Sequence, residues 1–276
     1  GRFKRALFAQ GKKKKEEDGK EPKAHSGTFI RFIPDPEIFG DYEWREEMIE
    51  HRLRYYAYLN TGLTMVYDGR RFTSKHGLAD LLEDELGAET PLYDTIHCTL
   101  DRLEFAFTHT SSYGETYFSF VNGQHTTDGG THQSAFREGV LKAVNEFSPK
   151  SFAGEDVRDG LIGAVAVKIQ DPVFESQTKN KLGSTDIRPW IVNAVREQVV
   201  LWLHSNPEAA DALLAKIRSN ERVRKELSSI KKEAKERAKK VALRIPKLID
   251  CKIHLDDRKG GSKVDLREAS TISSPR

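Results

Sequence analysis

Two polar side chains in one short loop could contact an anionic ligand. Gln177 and Lys179 lie in the segment 174–184, between a mostly apolar run at 161–169 and a helical pattern that starts near Asp186. An ammonium with three donors suits a terminal phosphate, whose charge spreads over several oxygens, and a glutamine two residues earlier can donate an amide hydrogen alongside it. We therefore predict an ordered polar loop that senses phosphate, with Lys179 as its main contact.

The same loop could be a solvated connection between a strand and a helix, and loop chemistry alone favours this alternative. Lys181 lies one step further along the chain and could face solvent. The sequence contains no Walker A lysine motif, no glycine fingerprint of a dinucleotide-binding domain and no evident nucleophile–base pair. Taken alone, it therefore holds accessory groups and no complete catalytic set.

A second candidate is Thr28, which follows Gly27 at the start of an extended run. Its hydroxyl could bond a base or an ordered water if this strand borders a nucleotide pocket. An ordinary strand start is the alternative, and the spacing alone favours it.

The loop that ends near residue 132 holds two histidines and an aspartate, His125, Asp128 and His132. They could form a metal site, but they fall on a loop and a helix start without a known ligand spacing. The pair Gly129-Gly130 favours a different interpretation, in which the backbone packs closely just before a helix. The N-terminus of that helix could in addition favour an anion.

Hydrophobic patterning predicts the helices that position these residues. They are expected at 42–59, 78–86, 131–147 with Thr131 as its cap, from near Asp186, and 207–241.

Extended runs predict two hairpins and one crossover. The first hairpin joins 2–9 to 28–33 around a tip with Lys12 to Lys15, which could meet DNA phosphates but suits a solvated tip better. A strand at 63–67 should close in an Asp68-Gly69 turn. The alternating runs 103–107 and 117–120 predict the second hairpin, with one buried face. The apolar run 161–169 should then complete a right-handed strand–helix–strand unit.

The 276 residues could form one large domain or two smaller ones, and the patterns predict an α/β class with a boundary near residue 76. The net charge of +3 says little about nucleic acid, because acids and bases nearly balance.

Two distant cysteines, Cys98 and Cys251, form no disulfide framework and fit a reducing compartment. Without a membrane-length apolar run or signal peptide, we expect a soluble cytoplasmic protein. The first residue, Gly1, suggests that an upstream part is missing.

Five ordered segments resemble the ATPase subunits of bacterial type IIA DNA topoisomerases, which are the B subunits of DNA gyrase and topoisomerase IV. The resemblance runs from about residue 3 to residue 254, and its form at 121–127 is more similar to the topoisomerase IV type. The matching segments are Ser26-Gly27-Thr28 through Phe32-Ile33-Pro34-Asp35, Tyr58-Leu59-Asn60-Thr61-Gly62, Ser119-Phe120-Val121-Asn122 into Asp128-Gly129-Gly130-Thr131-His132, Glu155-Asp156-Val157-Arg158-Asp159-Gly160-Leu161, and Gln177-Thr178-Lys179.

The resemblance implies a mixed α/β (α+β) fold in two parts. Residues 1–76 would be the C-terminal part of a GHKL ATPase domain, and 77–240 a transducer domain that resembles domain 2 of ribosomal protein S5. Residues 241–276 would lead, as a flexible tail, to the metal-binding cleavage (TOPRIM) domain. Gln177 and Lys179 match the family's loop that reaches the γ-phosphate of ATP, and Thr28 matches a threonine beside the nucleotide pocket.

By the same resemblance, the protein would couple ATP binding and hydrolysis, with Mg²⁺, to the passage of one DNA segment through another. Its partners would be double-stranded DNA, a second copy of itself and the A subunit of the topoisomerase. The family's general-base glutamate, magnesium-binding asparagine and glycine-rich lid do not occur in this sequence, and the acidic cleavage motif expected after Ile253 is missing. We therefore expect the isolated chain neither to hydrolyse ATP nor to cleave DNA.

Two alternatives stay open at this point. Another GHKL relative, of the mismatch-repair or chaperone type, would share a transducer and a lysine that contacts phosphate. A non-enzymatic module of the S5 type could instead hold nucleic acid through the Lys12 cluster and the basic helix 215–240.

Overall fold

The computed structural model describes residues 4–8, 27–31 and 33–240, with side chains described from 33 to 237. Within these residues the chain forms two compact units. One contains the residues up to Thr73 except 58–61, and the other contains 58–61 and the residues from Ser74 onward. The predicted lysine tip at 12–15 and the tail at 241–276 lie outside the described residues.

The first unit contains the predicted hairpin. Strand β1 (Lys4–Phe8) pairs antiparallel with β2 (Gly27–Arg31), which confirms that hairpin. A short helix α1 (Pro36–Phe39) follows, and α2 (Glu46–Leu59) begins four residues later than its pattern predicted. Helix α1 was not predicted, since a single turn is too short to show a helical period.

The turn predicted at Asp68-Gly69 joins β3 (Met65–Tyr67) to β4 (Arg70–Phe72). Both turn residues have positive φ, 46° and 75°, as the tight hairpin turns with matching twist require.

The second unit is built on a five-stranded sheet in the order β5-β6-β9-β7-β8. Its strands are β5 (Ile96–Thr99), β6 (Leu103–His109), β7 (Glu115–Val121), β8 (Gln124–His125) and β9 (Leu161–Val167). Its helices are α3 (Leu78–Leu86), α4 (Thr131–Phe147), α5 (Gly154–Arg158), α6 (Arg188–Ser205) and α7 (Pro207–Lys240).

The hairpin predicted between β6 and β7 is wrong, because β9 lies between these two strands. It pairs antiparallel with β6 and parallel with β7, so β7, α4 and β9 form the predicted strand–helix–strand unit. Strand β9 is apolar along its whole length and is covered on both faces, which suits a central position in a sheet. The segment 110–114 instead crosses the start of β9, where the amide of Gly160 donates to the carbonyl of Gly114 at 2.6 Å.

Helices α4 and α6 cover one face of this sheet, and α3 covers the opposite face. The main core contains fully buried residues of β6, α4 and β9, including Phe105, Phe107, Phe136 and Val165. On the other face, Glu104 of β6 accepts a hydrogen bond from the amide of Leu78 at the start of α3 (3.0 Å). No helix among the described residues is long and apolar enough to cross a membrane.

Candidate functional site

The segment after β9 folds into a small ordered hairpin. Phe174 and Leu182 form an antiparallel bridge, and the amide of Gly183 donates to the carbonyl of Val173 at 2.8 Å. The amide of Glu175 donates to the carbonyl of Lys181 at 3.1 Å. Leu182 is 1% exposed and belongs to the main core, so the base of this hairpin is anchored by hydrophobic burial. The loop is therefore ordered, as its sequence predicted.

The tip of the hairpin is a tight turn that ends at Lys179. The amide of Lys179 donates to the carbonyl of Ser176 at 3.1 Å, and the hydroxyls of Ser176 and Thr178 lie 2.7 Å apart. Lys179 has a φ of 58°, in the left-handed region. For a residue with a Cβ this backbone conformation costs about 1–2 kcal/mol. The turn therefore places Lys179 in a conformation that its side chain does not favour.

Both predicted contact residues are exposed at this tip. Within the part of the chain that the structure describes, neither the amide of the Gln177 side chain nor the ammonium of Lys179 forms a hydrogen bond or an ion pair. The neighbouring Lys181 differs, because its Nζ lies 3.0 Å from a carboxylate oxygen of Glu175. The structure thus brings Gln177 and Lys179 together in one turn, with Lys181 engaged in an ion pair beside them.

Main-chain hydrogen bonds join the hairpin to the start of α4. The amide of Asp128 donates to the carbonyl of Asn180 (3.0 Å), and the amide of Leu182 donates to the carbonyl of Gly129 (3.1 Å). The carbonyl of Leu182 in turn accepts from the amide of Thr131 at 3.0 Å. The hairpin is therefore attached through its backbone to the segment that opens the helix.

Gly130 lies at the closest approach between these two segments. A Cβ built on it would lie 2.5 Å from both the amide nitrogen and the carbonyl oxygen of Leu182. Its φ of 134° is also a conformation that residues with a side chain rarely adopt. The prediction that the glycine pair allows close backbone packing before a helix is confirmed.

The prediction that Thr131 caps α4 is wrong. Thr131 is the first residue of the helix, and Gly130 occupies the cap position without a side-chain hydrogen bond. The hydroxyl of Thr131 donates instead to the carbonyl of Leu182 at 3.3 Å. Its side chain is used for the attachment of the hairpin, because Leu182 supplies an acceptor next to the helix start.

Two further side chains hold the chain on either side of the hairpin. Asn122 donates from its side-chain amide to the carbonyl of Ile169 and accepts from the amide of Ile169, both at 2.8 Å. Arg188, the first residue of α6, donates from Nε and Nη2 to Glu138 of α4 at 3.1 and 2.6 Å. It also donates from Nη1 to the hydroxyl of Ser134 at 3.0 Å. The sequence analysis did not predict the roles of these two side chains. The pair Asn122-Gly123 is typical of a turn, and it is the one local signal at either position.

The histidines near α4 are parts of the fold. His132 is fully buried, and its Nε2 lies 3.2 Å from the hydroxyl of Thr126. Burial lowers the pKa of His132 to about 4, so its ring is neutral near pH 7. The ring of His125 packs at 5.1 Å from that of Phe120. Among the described residues no three His, Cys, Asp or Glu side chains gather where they could hold a metal ion.

Thr28 lies in β2 of the first unit, where its backbone pairs with Leu7. Its side chain is outside the described part of the structure. The expectation that it borders a nucleotide pocket therefore stays a prediction.

The chain is similar in sequence to known proteins along most of its length. The family profile described as DNA gyrase B matches residues 77–234. The chain is 47% identical to the B subunit of DNA topoisomerase 4 from Borreliella burgdorferi over 91% of its own length, and 34% identical to the B subunit of DNA gyrase from Thermotoga maritima over 72%. It spans only 42% and 35% of the lengths of these two relatives.

Among solved structures, the fold is similar to the 43K ATPase domain of Thermus thermophilus gyrase B in complex with an aminocoumarin. That comparison has a TM-score of 0.65 at 30% identity, and it covers 78% of this chain and 63% of the other. The ATP-binding domain of topoisomerase IV from Francisella tularensis, in complex with a small-molecule inhibitor, is similar with a TM-score of 0.60 at 25% identity. The coverage there is 72% and 59%.

Proposed function

The chain belongs to the DNA gyrase B family, and we propose that its full-length protein is the B subunit of an ATP-dependent type II DNA topoisomerase. The topoisomerase IV type is favoured, because the relative at 47% identity carries that name and the gyrase relative is 34% identical. The family match separates this proposal from the mismatch-repair and chaperone relatives.

The two parts of the chain would have different tasks. Residues 1–76 would complete the GHKL ATPase domain, 77–240 would be the transducer, and 241–276 would lead to the cleavage domain. Two observations support this division: apart from residues 58–61, which group with the second unit, the compact units divide at residues 73 and 74, and the family profile starts at residue 77.

Lys179 would contact the γ-phosphate of ATP, and Gln177 would donate a second hydrogen bond from the same turn. The observation that carries this assignment is the exposed ammonium of Lys179, which has no partner among the described residues and lies on a hairpin with a buried base. A cation at this position favours ATP over ADP, because only ATP presents the third phosphate. Thr28 would border the nucleotide pocket from β2.

Such a contact can drive a conformational change. A ligand shifts an equilibrium between two arrangements only by as much as it prefers one of them. A bond from Lys179 that exists with ATP and is lost after phosphate release supplies that preference. The second unit would thus report the state of the nucleotide to the rest of the enzyme.

The remaining partners follow from the proposed activity. Double-stranded DNA would be the substrate, a second copy of the chain would form the ATP-bound dimer, and the A subunit would complete the enzyme in the cytoplasm. ATP and Mg²⁺ would be the cofactors. Both would be bound mainly by parts of the protein outside this chain, as the resemblance implies.

The test compares Lys179→Ala and Gln177→Ala with Lys181→Ala in the full-length protein. The measurements are the affinities for a non-hydrolysable ATP analogue and for ADP, and the rate of DNA strand passage. Loss of a charge-assisted contact to phosphate should weaken binding of the analogue by about 10–100-fold in Lys179→Ala and leave ADP binding unchanged. Lys181→Ala should change neither. Equal losses for both nucleotides, or none for either, would contradict the proposal.

A further inference from the structure

We propose that Gly130 is a positioning residue for Lys179. The absence of a side chain at Gly130 lets the hairpin lie directly on the start of α4, and this contact sets where the turn at 176–179 stands. The inference rests on the proposed function of Lys179 as the contact to the terminal phosphate. It adds a residue that lies outside the loop and would act only through it.

The helix side of this contact is held along the length of α4, whereas the hairpin side is held only at its base. Leu182 is buried in the main core, and its amide and carbonyl are both bonded across the interface to Gly129 and Thr131. Gly130 also forms a parallel bridge with Leu182. On the other side, α4 packs closely on α6, since a Cβ on Gly139 would lie 2.7 Å from the Cβ of Val195. A side chain at Gly130 must therefore displace the hairpin rather than the helix.

The size of the displacement follows from the distances. An alanine Cβ at Gly130 would lie 2.5 Å from Leu182, whereas ordinary contact begins at 3.4 Å, so the backbones must separate by about 0.9 Å (3.4 minus 2.5). Leu182 is three residues from Lys179, or about 10 Å along an extended strand. The turn would move with its base. Misplacement of a catalytic group by about 1 Å can cost on the order of 100-fold in rate.

A control separates this effect from the strain of placing alanine in a glycine conformation. Gly114 also has a positive φ, 91°, but a Cβ there would meet nothing within 4 Å. Gly114 lies just before the first residue of β7. The hairpin lies after the last residue of β9, which runs parallel to β7, so the two sites are at opposite ends of these strands. The two ends of a seven-residue strand are about 23 Å apart. Gly114→Ala should therefore share the backbone strain of Gly130→Ala without its effect on Lys179.

The experiment is a double-mutant cycle in the full-length protein, with Gly130→Ala, Lys179→Ala and both together. The measurement is the ratio of the affinities for a non-hydrolysable ATP analogue and ADP. We expect Gly130→Ala to lower this ratio at least tenfold, and the double variant to be no worse than Lys179→Ala within twofold. Gly114→Ala should keep the ratio. A preserved ratio in Gly130→Ala, or losses that multiply in the double variant, would overturn the inference.

An unchanged ratio in Lys179→Ala would contradict the proposed function of Lys179. A second measurement then still tests whether Gly130 attaches the hairpin to α4. Hydrogen exchange of the Leu182 amide should accelerate at least tenfold in Gly130→Ala and not in Gly114→Ala. Unchanged protection would then refute the attachment itself.

If Gly130→Ala does not fold, Thr131→Val tests the same attachment of the hairpin to α4, because it removes the hydroxyl, one of the two donors of Thr131 to the carbonyl of Leu182, and keeps the backbone amide. Thr131→Ser, which keeps that donor, should restore the ratio. Equal ratios for Thr131→Val and the unmodified protein would overturn the inference.

Discussion

His109 accepts a hydrogen bond from the hydroxyl of Tyr93, which lies 2.5 Å from its Nδ1, inside the core of the second unit. Its Nε2 donates to the carbonyl of Val157 at 2.7 Å, because a carbonyl can only accept. The ring is therefore a neutral link between β6, α5 and the segment before β5. Burial, as the largest cause, lowers the pKa of His109 to about 4; the charge of Lys216 acts in the same direction, and the bond to Val157 and the charge of Asp159 act against it.

This link predicts that stability depends on pH between about 6.5 and 4. Below its unfolded pKa of about 6.5, the unfolded chain binds a proton at this histidine that the folded chain excludes until about pH 4. The stabilisation is complete above pH 6.5 and is lost as the pH falls through this window, by roughly 3 kcal/mol. His109→Gln should reduce the slope of unfolding free energy against pH, and the slope that remains in this window would come from His132, whose pKa burial also lowers to about 4. His204→Gln, at an exposed position, should keep the slope, and an unchanged slope in His109→Gln would contradict the account.

The ion pair between Arg224 and Asp156 holds the long helix α7 to α5. Arg224 donates from Nε and Nη2 to the buried carboxylate of Asp156 at 2.6 and 2.8 Å, and Asn220 donates to the carbonyl of Asp156 at 2.9 Å. Removal of one partner would leave a buried charge uncompensated. Arg224→Ala should lower the Tm by more than about 3 °C, whereas Arg222→Ala, at an exposed neighbour, should stay within about 2 °C. Equal Tm values for the two variants would refute the role of the pair.

At Gly139, in the middle of α4, we expect substitution by alanine to lower stability, although helix propensity alone predicts a gain. Alanine in the middle of a helix is normally more stable than glycine by about 1 kcal/mol. Here the added Cβ would lie 2.7 Å from the Cβ of Val195 and 3.1 Å from the carbonyl of Val192. Overpacking of this kind costs about 1–3 kcal/mol, so Gly139→Ala should destabilise the chain in urea unfolding. In a double-mutant cycle, Val195→Gly, which removes the contacting Cβ, should make the loss caused by Gly139→Ala smaller than it is in the unmodified chain. A stabilised Gly139→Ala would show that α4 and α6 can separate freely.

Because Lys179 has a positive φ, we expect that glycine at this position keeps or raises stability and abolishes the proposed contact to phosphate. Glycine adopts a φ of 58° without strain, although it makes the unfolded chain more flexible. Lys179→Gly should therefore be as stable as the unmodified chain, or up to about 1 kcal/mol more stable, while it loses the preference for ATP over ADP. Gln177→Gly is the matched control for stability, since Gln177 is equally exposed and does not have positive φ, and it should lose about 0.5–1 kcal/mol. Destabilisation of Lys179→Gly by the same amount would contradict the assigned strain.

The sequence alone predicted the features whose signal is local. The helices α4, α6 and α7 follow from apolar residues at helical spacing, and the Asp68-Gly69 turn follows from the positive φ that such a pair accepts. The order of the loop at 174–184 and the close packing at Gly129-Gly130 were also predictable, because a buried strand before a polar loop and two glycines before a helix have few other uses. These predictions needed no knowledge of distant residues.

Only the tertiary structure decided which segments are neighbours. Strands β6 and β7 follow each other in sequence, but β9 lies between them; its continuous apolar run indicates burial on both faces and does not say which strands lie beside it. Thr131 was wrongly predicted as a cap because its true partner is not local. The carbonyl of Leu182, to which its hydroxyl donates, lies 51 residues away in the chain. The residue types of the loop predicted Lys179 as a contact to phosphate, and this role stays a prediction. The close approach of Gly130 to Leu182 appears only in the folded chain, because the tight contact between two backbones is a property of neither segment alone.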